Sequence, residues 1–255
     1  MLGGASHVTA HTPKNEALDV IEHLVRRIAR EAGVDIVGFG DVRAALPPGF
    51  GHLPVAISLG VAHPAMRALL EDGALSAQGL ERELCDHRDA VGQAKLETGL
   101  RRLSSLFRAQ GYRYFGCPPE CDPMDSPFTS LVARRFSHKA AATCAGLGWV
   151  GRHGLLNHPV YGPHVSWATM LTNAPLRTST PAVVSECGEC GRCVAACPAG
   201  AISGRVWCRE DGMARIVDIE RCRKFLDENE RATGRRVCGR CAVACATARL
   251  AVREG

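Results

Sequence analysis

The chain has 255 residues, 46% hydrophobic and 22% charged, the make-up of an ordinary globular protein with room for one large core and a smaller second unit. No apolar run approaches a membrane span and residues 1–11 hold no signal-peptide core, so the expected compartment is the cytoplasm, without a membrane partner. The formal charge of +5 treats every cysteine as neutral and identifies no nucleic-acid partner, while thirteen cysteines, an odd number in a reducing compartment, exclude a fully paired disulfide framework.

Thr12 and Pro13 open the first predicted helix as N-cap and first helical residue. Leu18, Ile21, Leu24, Val25 and Ile28 recur at helical spacing, and Gly33 is placed to end it. Residues 34–39 and 55–61 are short, apolar and rich in β-branched side chains, and read as buried strands. Residues 65–93 are polar, helical in character and poorly patterned. From Leu96 the spacing firms: Leu96, Leu100, Leu103 and Phe107 mark a helix that ends at Gly111. Residues 112–116 and 165–171 predict further strands, and Ala-rich 137–145 a short helix. The proline-rich segment around Cys117 and Cys121 reads as a loop. Helices and strands in this order imply a mixed α/β (α+β) layer over 1–178. Residues 173–181 then link it to a cysteine-rich unit over 179–255.

Between Asp125 and Glu186 stand sixty residues without an acid. They carry Arg134, Arg135, Lys139, Arg152 and Arg177, four histidines, and Gly146, Gly148, Gly151, Gly154 and Gly162. Glycines let a backbone approach a ligand and basic groups suit phosphate, so the segment reads as a pocket for a phosphate-bearing cofactor or substrate. G-L-G-W-V-G from Gly146 matches the dinucleotide pattern, but a helix rather than a strand precedes it and no acid follows. NAD binding is not expected there.

The strongest signal is C-G-E-C-G-R-C-V-A-A-C-P from Cys187, the spacing of the bacterial ferredoxin run. In such runs three thiolates hold one [4Fe–4S] cube and the fourth reaches a second. Cys238, Cys241 and Cys245 supply the second group, with Cys222 upstream. The crossing rule assigns Cys187, Cys190, Cys193 and Cys245 to one cluster and Cys197, Cys222, Cys238 and Cys241 to the other. Cys208 competes with Cys222 on spacing alone. Structural zinc also uses C-x-x-C pairs but does not call for this run. Two such clusters, each about −2, bring the formal charge to roughly +1. Cys85, Cys117, Cys121, Cys144 and Cys208 read as scattered thiols, since C-x-x-x-C at Cys117 and Cys121 is a weak metal signal.

The run H-K-A-A-A-T-C-A-G-L-G-W-V-G-R-H-G-L-L from His138 resembles the central motif of epoxyqueuosine reductases. Tyr161-Gly162, M-L-T-N-A-P-L from Met170 and the double cysteine tail continue the likeness. It covers residues 137–245 well and 19–61 more loosely, and extends to the related reductive dehalogenases. The resemblance implies a nitroreductase-like domain that holds cobalamin, followed by a two-cluster ferredoxin-like domain. It implies electron delivery from a ferredoxin- or flavodoxin-type donor through the clusters to cobalt, for reduction of a small-molecule or nucleoside substrate. By the same likeness, Lys139, Gly146, Gly148, Trp149, Gly151, Arg152 and His153 would hold the corrinoid. His138 would stand where the family has an acidic proton donor. The chain ends ten residues after Cys245, so the family's helical-repeat extension is not expected and tRNA is a weaker candidate partner. Two other readings use the same residues: an electron-transfer protein serving a partner, and a nucleic-acid module stabilised by clusters.

Overall fold

The computed structural model describes residues 13–63, 91–119, 136–210, 216–234, 236, 238–245 and 247. The polar stretch 65–93 lies largely outside the described residues, as do Cys85 and Cys121.

Helix α1 (Pro13–Glu31) starts at the proline and is closed by Gly33 at φ +77°. Strands β1 (Ile36–Asp41) and β2 (Val55–Ala62) follow, then α2 (Gln93–Ala109) and β3 (Tyr114–Cys117). Helix α3 (His138–Cys144) is capped by Ser137, whose hydroxyl accepts from the Lys139 amide. The two-residue strands β4 (Trp149–Val150) and β5 (Leu156–Asn157) form a hairpin before β6 (Val165–Thr172). Three helices complete the cysteine-rich part: α4 (Arg192–Ala195), α5 (Ile219–Thr233) and α6 (Arg240–Val243). Asp218 caps α5, and Gly234 ends it in the left-handed region.

The main sheet runs β1-β2-β6-β3 with every neighbouring pair antiparallel. Strand β2 is buried along its whole length because both faces are covered. Its large residues Val55, Ile57, Leu59 and Val61 join Val25, Leu96, Leu103, Phe107 and Met170 under α1 and α2. On the opposite face Ala56 and Leu171 pack with Ala141 and Cys144 of α3. At Gly40 on that face α3 comes very close. A Cβ added at Gly40 of β1 would stand 2.6 Å from the Cys144 carbonyl carbon and 2.7 Å from the Ala145 nitrogen.

The β4–β5 hairpin carries the connection to the cysteine-rich part. Trp149 and Val150 form one cluster with Trp207 and Ile216. From the hairpin tip, Arg152 donates to the Gly188 and Gly204 carbonyls of the cysteine-rich loops. The mixed helix and sheet architecture matches the expected class, with strand pairing that is antiparallel throughout.

Candidate functional site

The thiols fall into two neighbouring sets. Cys193 sits buried on α4, and its pKa is pushed up to about 11, first by burial and then by charge on Cys245, Cys187 and Cys190. Cys241 on α6 is pushed up to about 12 by burial, then by Cys238, with smaller contributions from Cys193 and Cys197. Cys222 on α5 is raised by burial and by Cys197, against the opposing charge of Arg236. Cys197 also accepts a backbone N–H bond from Ala201 at 3.3 Å. The short α4 and α6 helices pack on each other, which brings C-x-x-C turns distant in sequence to one place. Among the described residues no three His, Cys, Asp or Glu side chains close on a point that suits a single metal ion. Cys208 pairs through its backbone with Val184.

Beside the second set lies a cavity of about 1000 Å³, at the upper end for small-molecule sites. One wall carries Cys197, Cys222, Cys238 and Cys241, with Phe225 and Leu226 of α5. The other carries His63, His138, Lys139, His153 and His164. His63 and His164 meet where β2 ends and β6 begins, the His63 amide donating to the His164 carbonyl at 3.0 Å.

His138 at the start of α3 has both ring nitrogens engaged. Nε2 is 3.0 Å from the Pro118 carbonyl, which can only accept, and Nδ1 is 2.8 Å from the Thr169 hydroxyl. The ring therefore carries a proton on Nε2, and burial, which favours the neutral form, lowers its pKa despite the Pro118 carbonyl. Lys139 donates one N–H to the Gly154 carbonyl at 2.7 Å, and burial lowers its pKa as well. His153 accepts the Leu155 amide on Nδ1 at 3.1 Å, leaving its proton on Nε2. That nitrogen is buried and unpartnered among the described residues, as are both ring nitrogens of His164. The His164 orphans in the cavity wall suit a large polar ligand that completes their hydrogen bonds.

Of the basic residues and glycines singled out in the acid-free segment, His138, Lys139, His153, Gly154 and His164 line this cavity. Gly146, Gly148, Trp149, Gly151 and Arg152 do not line it. Trp149 fills the cluster around Trp207, and Arg152 ties the hairpin to the cysteine loops. Gly146 follows α3 in the left-handed region, with the Thr180 carbonyl where a Cβ would go. His63 and the α5 side chains carried no local motif that would have revealed them. His164 was visible only as one histidine among four.

The buried histidines do not act as cations. His153 is held at about 4 by burial first, then by His164 and Lys139, with Asn157 opposing, and His164 at about 4 by burial. Their folded pKa lies below the usual imidazole value of about 6.5, so between the two values the unfolded chain binds more protons. Stability is therefore lost as pH falls from about 6.5 toward 4 and is unaffected above. From pH 7 to pH 5 each ring should cost about 2 kcal/mol. Anaerobic denaturant titrations at both values measure it, and His164→Leu should remove its share, about 2 kcal/mol. An unchanged slope would take His164 out of this account.

A model of the 4Fe-4S binding domain matches residues 183–203, which hold Cys187, Cys190, Cys193 and Cys197. The epoxyqueuosine reductase of Listeria monocytogenes serovar 1/2a is 38% identical over 95 residues, 37% of this chain and 24% of the relative. That of Synechococcus sp. (strain CC9605) is 42% identical over 87 residues, 34% of this chain and 24% of the relative. The match thus spans about a quarter of these curated relatives. In three dimensions, a crystal structure of epoxyqueuosine reductase with a modified tRNA-Tyr stem loop superposes with a TM-score of 0.58 at 18% identity, over 91% of this chain and 66% of that one. A catabolic reductive dehalogenase in complex with 3-bromo-4-hydroxybenzoic acid gives 0.62 at 18% identity, over 94% and 34%. A further reductive dehalogenase structure, described as suggesting a mechanism for B12-dependent dehalogenation, gives 0.62 at 17%, over 89% and 33%. The resemblance read from the motifs is thus borne out. The chain is an iron–sulfur protein with the fold of epoxyqueuosine reductases and reductive dehalogenases. Among the described residues no helix is long and apolar enough to cross a membrane.

Proposed function

We propose that this chain is a cytoplasmic, cobalamin-dependent iron–sulfur reductase, with residues 1–178 forming the corrinoid and substrate unit and 179–255 a two-cluster unit. The observation that carries this reading is the shared cavity, with one thiol set in one wall and titratable groups in the other. Cys187, Cys190, Cys193 and Cys245 are the ligands of one [4Fe–4S] cluster, and Cys197, Cys222, Cys238 and Cys241 of its neighbour. The thiols that charge one another fit these two sets. A corrinoid in the cavity would supply low-valent cobalt for reduction of a small or nucleoside-type substrate, while the clusters supply one-electron steps.

The chain's own residues divide the remaining work. The second thiol set faces the cavity and the first does not, so the ferredoxin- or flavodoxin-type donor docks at the first. Cys187 and Cys190 there are half-buried beside exposed Glu186, Glu189 and Arg192. His164, with both ring nitrogens unpartnered among the described residues, holds uncharged polar groups of the corrinoid, and His153 lines the same wall. Of the two proton sources in the wall, His138 has its one N–H committed to Pro118, whereas Lys139 keeps two N–H groups beyond its bond to Gly154. Burial makes the Lys139 ammonium a stronger acid than that of an ordinary lysine.

Anaerobic reconstitution with iron and sulfide, addition of cobalamin and desalting test the reading. Corrinoid absorbance should stay with the protein. Its loss would overturn the corrinoid site and leave the electron-transfer reading, in which the same clusters reduce a partner. With a reducible substrate in hand, Lys139→Met should lower turnover at least 100-fold with corrinoid retained. If His138→Ala causes that loss and Lys139→Met does not, the proton comes from His138.

A further inference from the structure

Asn157 ends β5, fully buried behind the cavity wall. Its carbonyl oxygen Oδ1 lies 3.6 Å from Cys245 Sγ, while its Nδ2 is buried without a partner among the described residues. That orientation suits a thiol, whose S–H can donate to the oxygen. It does not suit a thiolate. A cysteine that ligates a cluster has lost its proton and can only accept, so an amide oxygen facing it repels and an amide N–H attracts.

Turning the Asn157 amide by 180° exchanges oxygen and nitrogen without moving the chain, an exchange that the hydrogen-bond network alone decides. Two orphan groups are then satisfied at once. Nδ2 faces the Cys245 sulfur, and Oδ1 takes the former place of Nδ2, next to the His153 ring. Ring and amide converge on Gly151, where an added Cβ would stand 2.6 Å from His153 Cε1 and 2.8 Å from Asn157 Nδ2. Because the Leu155 amide donates to His153 Nδ1, the His153 proton is on Nε2, the nitrogen that lacks an acceptor.

We propose that Asn157 donates an N–H···S hydrogen bond to Cys245 and so raises the potential of the cluster held by Cys187, Cys190, Cys193 and Cys245, with His153 as the positioning residue that holds the amide in that orientation. This rests on the ligand assignment above. A hydrogen bond to a ligand sulfur favours the reduced, more negative state, which is one of the protein's levers on cluster potential. His153 also lines the cavity, so the bond connects the cavity wall to the cluster that the cavity does not touch.

Redox titration of the reconstituted protein, followed by electron paramagnetic resonance, tests this. Asn157→Leu should lower the midpoint of one cluster and leave the other in place. The expected change is about tenfold in the reduced-to-oxidised ratio at fixed potential, or about 59 mV for a one-electron couple. Asn157→Asp, of the same shape, should shift the same cluster in the same direction if leucine is not accommodated. His153→Leu should give a smaller shift of the same sign. Pulsed resonance on the wild type should detect an exchangeable proton near the reduced cluster that Asn157→Leu removes. Full iron content with unchanged potentials in the Asn157 variants would overturn the hydrogen bond alone. Failure to bind two clusters would overturn the ligand assignment with it.

Discussion

Cys241→Ser should lower the iron content from about eight to about four per chain and sever the cavity from its nearest source of electrons. Cys241 sits on α6 with charge from Cys238, Cys193 and Cys197 around it, in a site where burial already pushes its thiol up to about 12. So crowded a set of thiolates is unstable on its own. A positively charged iron–sulfur core offsets both the burial and the mutual repulsion, which is why ligand loss and cluster loss go together. The sharper test concerns neighbours in sequence. Cys193→Ser and Cys245→Ser should abolish one resonance signal, and Cys197→Ser and Cys222→Ser the other, although Cys193 and Cys197 stand four positions apart. If Cys193→Ser and Cys197→Ser remove the same signal, the crossed assignment is wrong.

Gly148→Ala should cost about 4 kcal/mol or more, enough to lower the melting temperature by roughly 10 °C or to prevent accumulation of folded protein. Gly148 has φ +145°, and a Cβ there would lie 1.9 Å from the Asn157 carbonyl oxygen and 2.9 Å from its carbon. Both are backbone atoms of the partner strand, so no rotamer change relieves the clash. Opening the hairpin would also move Asn157 away from Cys245 and loosen Trp149 from Trp207. Iron content should therefore fall together with stability. Gly51→Ala is the control, since nothing lies within 4 Å of its added Cβ and its φ is ordinary. It should change stability by less than about 0.5 kcal/mol. Equal behaviour of the two variants in thermal melts would refute the close approach at Gly148.

The acid-free, glycine-rich segment shows where inference from composition stops. Its glycines suggested a cradle for a phosphate-bearing ligand, yet Gly146, Gly148 and Gly151 make room for protein atoms. A missing Cβ signals a close approach but not what approaches. The histidines suggested positive charge, yet burial holds His153 and His164 near 4 and leaves them uncharged. Charge follows from solvation, which no local pattern records.

What the sequence determined by itself was local. The 3.6-residue spacing from Leu18 and Leu96 marked α1 and α2, β-branched runs marked β1 and β2, and the cysteine spacing marked the thiol sets, because each depends on residues a few positions apart. Only the tertiary structure decided what depends on residues far apart. The strand order β1-β2-β6-β3 joins segments more than a hundred residues from one another, so no local pattern could announce it. The same holds for the cavity between α5 and the β2–β6 edge, and for the meeting of Asn157 with Cys245 across 88 positions. Such contacts are chosen by packing and by the need of buried polar groups for partners, and both act only once the chain has folded.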